Sequence, residues 1–217
     1  MTDSGVVNWR GVTGAASYDL QRTDQAAGPW RTVIWRATAD GTQYQPLAVD
    51  EFTQVGRTYF YRLIAHNEAG ASQPSQVLGP VTIRCRTVVD EFKNTFQIYR
   101  KDGKMELRSN DARNYKEDCH RLWGAPGAWI AYQVTGKIRT VRVYAFDEKG
   151  AAGLNFYAGV GGTNGLKLPS QSETFFAGKE LYNYRAPRFY TVARVPDEAS
   201  GLSIAFEQET QLKPGGD

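Results

Sequence analysis

Lysine is missing from the first 92 residues of this 217-residue chain, and cysteine, methionine and histidine number only two each. Each scarcity excludes something. Two cysteines cannot build a dense disulfide scaffold or a four-cysteine zinc site. No apolar run approaches the roughly 18–20 residues of a membrane-spanning helix. A net charge of +3 is too small to point to nucleic acid. The opening Met-Thr-Asp-Ser-Gly lacks the basic and apolar segments of a secretion signal. The sequence therefore gives no reason to expect a membrane or nucleic-acid partner.

What is abundant points to β structure. Aromatics make up 12% of the chain, and there are 22 Gly and 9 Pro, a composition of short strands joined by turns rather than of a helical bundle. The charge divides the chain in two. Through Arg84 there are seven Arg, no Lys and seven acids, whereas from Cys85 onward 19 Lys plus Arg face 16 acids. A boundary near 80–87 follows, giving domains of residues 1–84 and 85–217 with almost no linker between Ile83 and Val88.

In the first domain Val6–Trp9, Tyr18–Arg22, Trp30–Ile34 and Thr58–Ala65 read as strands, separated by Gly11, Gly14, Gly28-Pro29, Asp40-Gly41 and Asn67–Gly70. Alternation from Tyr59 places Tyr59, Tyr61, Leu63 and Ala65 on one face. Trp30 and Trp35, five apart, fall on opposite sides of an extended chain, which predicts core packing or interdomain contact rather than a joint platform. In the second domain Ala128–Val134, Thr140–Phe146, Leu154–Ala158, Arg188–Val195 and Leu202–Glu207 are strand-like, with Gly- and Asn-rich loops between them, notably 159–165. Asn110–Asp118 reads as a loop or a single helical turn.

The order Trp9, Val12-Thr13-Gly14-Ala15, Ser17-Tyr18, Gly56–Arg62 and Ala65–Ser72 resembles a fibronectin type III domain. The resemblance implies that Trp9 is a core residue and that Tyr59 forms a tyrosine corner, its hydroxyl bonded to nearby backbone. Only five residues precede Val6, too few for the family's first strand, so the chain is expected to be a piece of a longer secreted protein with an added start methionine. The segments Val88–Phe92, Asp118–Leu122, Trp129–Val134, Leu154–Tyr157 and Leu202–Phe206 resemble a carbohydrate-binding β-sandwich module of the kind appended to secreted bacterial glycoside hydrolases. The fold class expected is thus all-β, two tandem sandwiches, the second of jelly-roll or discoidin type.

That resemblance implies a monomeric, extracellular, non-catalytic fragment that holds a parent catalytic domain on a polysaccharide, with the basic second domain favouring an anionic glycan such as xanthan. Sugar rings stack on flat aromatic faces while Arg, Asn, Asp and Gln bond their hydroxyls. The candidate contacts are Trp123, in the turn-like Trp123–Gly127, and Trp129, outward if Ile130 and Tyr132 face the core. Arg121, Arg142, Tyr144, Tyr182 and Tyr184 stand behind them. Each of these could instead be a packing or surface residue. Asp90 and Asp118 could join a structural calcium site of the sort such modules carry, although no cofactor is required. Cys85 and Cys119 would form a disulfide in a secreted protein or remain thiols. Catalysis has little to build on, because Cys119-His120, Asp90-Glu91 and Asp147-Glu148 are adjacent pairs whose side chains splay apart on an extended chain. The alternatives are a protein-binding adhesion module and a small polysaccharide lyase or hydrolase.

Overall fold

The computed structural model describes residues 1–37, 48–111, 120–147, 153–174, 188–192 and 194–213. The chain forms two compact units, Met1–Val88 and Val89–Gly216. Both consist of packed antiparallel sheets in a sandwich-like arrangement.

The first unit contains β1 (Val6–Val7), β2 (Ser17–Thr23), β3 (Arg31–Ala37), β4 (Ala48–Val49), β5 (Thr58–Asn67), β6 (Gly70–Ala71) and β7 (Leu78–Thr82). Strands β1 and β4 pair with each other, while the larger sheet runs β3-β2-β5-β6, with β7 also on β5. The alternation expected of β5 is realised: Tyr59 and Tyr61 are buried and Leu63 packs against the same core as Val7, Leu20, Ala48 and Ile83. Trp9 packs on this core, its ring 5.5 Å from that of Tyr18. The Tyr59 hydroxyl accepts a hydrogen bond from the Gln54 amide at 3.2 Å, the backbone bond anticipated for that residue. A polar cluster sits inside the unit. Buried Arg22 donates to Asp50 Oδ2 at 2.6 Å, and the Tyr61 hydroxyl donates to the same oxygen at 3.2 Å. Desolvation and the neighbouring Asp50 carboxylate push the Tyr61 hydroxyl well above the usual phenol range, so it stays a donor.

Trp30 and Trp35 have different surroundings. Trp30 lies beneath the Arg62 guanidinium, 4.3 Å from its ring centroid. Trp35 is 70% exposed, so core packing is corrected at that position. Strand β3 is the edge of its sheet and carries a register shift against β2, which takes Trp35 out of the simple alternation that would bury it.

The second unit contains β8 (Arg100–Asp102), β9 (Met105–Arg108), β10 (Arg121–Gly124), β11 (Trp129–Gln133), β12 (Val141–Asp147), β13 (Leu154–Ala158), β14 (Lys167–Leu168), β15 (Gln171–Thr174), β16 (Arg188–Val192), β17 (Gly201–Phe206) and β18 (Thr210–Lys213). A six-stranded sheet runs β15-β16-β12-β18-β10-β9 and a five-stranded sheet runs β14-β13-β17-β11-β8. One core joins them. Leu122, Val143, Ala145, Tyr190, Val192 and Leu212 come from the first sheet, and Ile130, Leu154, Phe156, Leu168, Leu202, Ile204 and Phe206 from the second. The approach is close at Gly124, where an added Cβ would lie 2.4 Å from the Phe206 ring, so this strand position excludes any side chain.

Candidate functional site

Strand register sorts the expected contact residues by face. Trp123 is paired with Gln211, and Gln211 with Phe146. By alternation Arg121, Trp123, Gln211, Phe146, Tyr144 and Arg142 therefore share the side of the six-stranded sheet away from the core. Four expected residues are thus brought together, but three of them are inaccessible. Arg121 is 1% exposed, Tyr144 2% and Trp123 6%. Trp123 is the third residue of β10, not part of a turn, and it carries the Arg108 guanidinium 4.4 Å from its ring centroid and Lys104 Nζ at 5.6 Å. Arg121 spends its donors internally, on Gln211 Oε1 at 2.8 Å and on the Asn110 carbonyl. Arg121, Trp123 and Tyr144 are corrected accordingly: they form a second packed layer on that sheet, with no ring or guanidinium open to a sugar. Arg142 remains exposed.

Trp129 lies elsewhere. Ile130 pairs with Ile204 inside the core, so the indole projects from the opposite side of the five-stranded sheet and stays partly exposed. The register places Asp102 of β8, Trp129 of β11, Ala205 of β17 and Asn155 of β13 in one row on that side. Three inter-strand spacings make this row about 14 Å long. Glu207 accepts a hydrogen bond from Asn155 Nδ2 at its far end, and Asp102 Oδ1 at the near end accepts one from the Gly103 amide at 2.8 Å. Indole, amide and two carboxylates thus lie along one strip.

The glycine-rich stretch after β13 supports the indole. It includes a single 3-10 turn, Gly162–Asn164, and is pinned to the sheet by buried Ser203. The Ser203 hydroxyl donates to the Gly159 carbonyl at 2.8 Å and accepts from the Gly162 amide at 3.1 Å. Gly162 has φ +66° and rests on the Trp129 ring. Within this stretch Gly162 and Gly165 serve close packing, against the Trp129 ring and the Ala158 backbone.

Asp90 is committed within its own unit. Its Oδ1 accepts the Phe92 amide and its Oδ2 the Tyr132 hydroxyl, both at 2.9 Å. Desolvation raises its pKa above the ordinary carboxylate value, outweighing those two bonds. Burial, followed by the Asp90 charge, pushes the Tyr132 phenol up as well. Among the described residues no group of three or more His, Cys, Asp or Glu side chains is placed to hold a metal. Asp118, Cys119, Tyr182 and Tyr184 lie outside the described residues, and Cys85 is a half-buried free cysteine. His66, of β5, is half-buried and places Nε2 3.0 Å from Asp19 Oδ2, a contact within the fold.

Sequence reasoning assigned Trp35 to packing and passed over Phe52, the other ring flanking a recess of the first unit, and Phe96 and Tyr99 of the second, all of which are exposed. Composition marks none of them, because an aromatic on a strand edge or in a turn reads the same whether covered or bare. Sequence comparison with protein-family models and with characterised proteins gives no match to this chain.

Proposed function

We propose that the chain is a non-catalytic polysaccharide-binding fragment of an extracellular, polysaccharide-degrading enzyme. In this reading the second unit is a carbohydrate-binding β-sandwich and the first a fibronectin type III-like spacer. The supporting observation is the strip Asp102–Trp129–Asn155–Glu207: a partly open indole buttressed by a pinned turn, with hydrogen-bonding groups on both sides of it. An indole face stacks on the CH face of a pyranose, and carboxylate and amide groups bond its hydroxyls.

Two carboxylates on the strip disfavour an anionic sugar there, by like-charge repulsion, and suit a neutral chain such as xylan, mannan or a glucan. The work of the module is positional. Holding the parent enzyme on its polymer raises the effective concentration of cleavable bonds near the active site. A stacking contact of this kind contributes on the order of 1 kcal/mol, so affinity per site is in the micromolar to millimolar range.

Affinity electrophoresis through gels containing xylan, mannan, a β-glucan or xanthan tests the reading. Retardation of the wild-type fragment on a neutral polymer, reduced about fivefold or more in apparent affinity by Trp129→Ala, supports it. Unchanged mobility on every polymer overturns it, and capture of a protein partner instead would favour an adhesion module. Release of reducing ends by the purified fragment would overturn the non-catalytic part.

A further inference from the structure

The first unit carries an open recess of its own. Trp35 and Phe52, 70% and 74% exposed, line one open cleft of about 580 Å³ together with Arg22, Arg31, Thr32 and Val33. That volume lies within the roughly 300–1,000 Å³ typical of small-molecule sites. Two large rings left in water on separate elements, facing one recess, are costly unless something else covers them.

Both walls are held from behind by buried carboxylates. Phe52 follows β4 in a turn whose amide, that of Phe52 itself, donates to Asp50 Oδ1 at 3.2 Å. The other oxygen of Asp50 is fixed by Arg22 and Tyr61, so the turn is anchored to the interior. On the opposite side Arg36, next to Trp35, adopts φ 53° and donates its amide to Asp19 Oδ1 at 2.9 Å. Asp19 is in turn held by His66. The strained backbone beside one ring and the pinned turn beneath the other keep the recess open without a ligand.

Its charge selects the occupant. Arg22 is neutralised by Asp50, whereas Arg31 is exposed and forms no ion pair among the described residues. One guanidinium without an ion-pair partner among the described residues therefore shares the lining of the recess with two aromatic rings. A ligand that satisfies both features needs a flat apolar face and a carboxylate on the same small ring. A neutral sugar lacks the anion, a mineral anion lacks the face, and an acidic peptide side chain lacks the ring.

We propose that the Trp35–Phe52 cleft is a binding subsite for uronic-acid residues of an acidic saccharide, the carboxylate taken by Arg31 and the ring held between the two aromatics. The subsite stands on these residues alone and does not depend on Trp129 binding a glycan.

Titration of ¹⁵N-labelled protein with oligogalacturonate and, separately, with cellohexaose, read at the indole Nε1–H signals, tests it. Trp35→Ala and Trp129→Ala assign the two relevant signals. The expected result is that oligogalacturonate shifts the Trp35 signal, cellohexaose does not, and Arg31→Gln and Phe52→Ala each weaken the oligogalacturonate effect roughly tenfold. A Trp35 signal indifferent to oligogalacturonate overturns the proposal, as does an equal response to cellohexaose or full affinity in Arg31→Gln. A shift confined to the Trp129 signal overturns the subsite while leaving the polysaccharide reading standing.

Discussion

Gly162 lies so close to the face of Trp129 that a Cβ at this position would sit 2.5 Å from Cε2 of the indole. With φ +66° the glycine is required twice over, once by its backbone and once by its neighbour. Gly162→Ala is therefore expected to cost about 2–4 kcal/mol, because the ring must move and a left-handed conformation must be held. Gly159, with φ +88° and open space around its Cα, supplies the control. Gly159→Ala should cost only about 1–2 kcal/mol, the conformational part. Thermal melts of the two variants, with tryptophan fluorescence reporting the indole's environment, check the difference; equal losses would show that the Gly162–Trp129 contact is not the constraint.

Asp90 makes the second unit's stability depend on acid pH in an unusual sense. Desolvation raises its folded value above 3.8, so between the two values the folded state binds more of this proton than the unfolded chain does. Stability from this group is then present at low pH and is lost as pH rises through the raised value. Asp90→Asn removes the titration while offering Phe92 and Tyr132 an amide of the same shape. At pH 7 the variant should lie within about 1 kcal/mol of wild type, and the difference should move in its favour as pH rises from 4 to 7. Paired urea melts across that range measure it, and a difference moving the other way would mean the carboxylate is net stabilised by its two donors.

Trp123 is a packing residue, and its substitution separates fold from binding. Trp123→Ala removes a large buried ring together with the seat of the Arg108 and Lys104 cations, for an expected loss of about 3–5 kcal/mol. Trp123→Phe keeps a ring there and should keep glycan retardation. A Trp123→Ala variant that melts within a few degrees of wild type, yet no longer binds polysaccharide, would show the indole to be exposed after all.

Much of the fold was legible from period-two alternation. Tyr59, Tyr61 and Leu63 on β5, and Leu202, Ile204 and Phe206 on β17, announce their strands because large apolar side chains recur at every second position. Strands β4, β6, β7, β8, β9, β10, β14, β15 and β18 were not read. Arg100–Asp102 is a fully exposed edge, Gln171–Thr174 likewise, and Arg121–Gly124 is buried on both faces, so none presents a contrast between faces. The same limit governed the site residues. Alternation put Arg142 and Tyr144 on one side of a strand, and only the strand register added Arg121 and Trp123 to it; alternation could not tell whether that side was water or a further layer.

By itself, the sequence determined that this is a β protein in two parts, which strands have a core face, and that Trp129 points away from it. Those follow from local geometry, since neighbouring side chains on an extended backbone must point oppositely. Only the tertiary structure decided which outward rings are covered: Trp123 is sealed in a second layer, Trp129 is propped by a turn more than 30 residues further on, and Trp35 and Phe52 are left bare. Covering depends on segments distant in the chain, and no local pattern encodes their arrival.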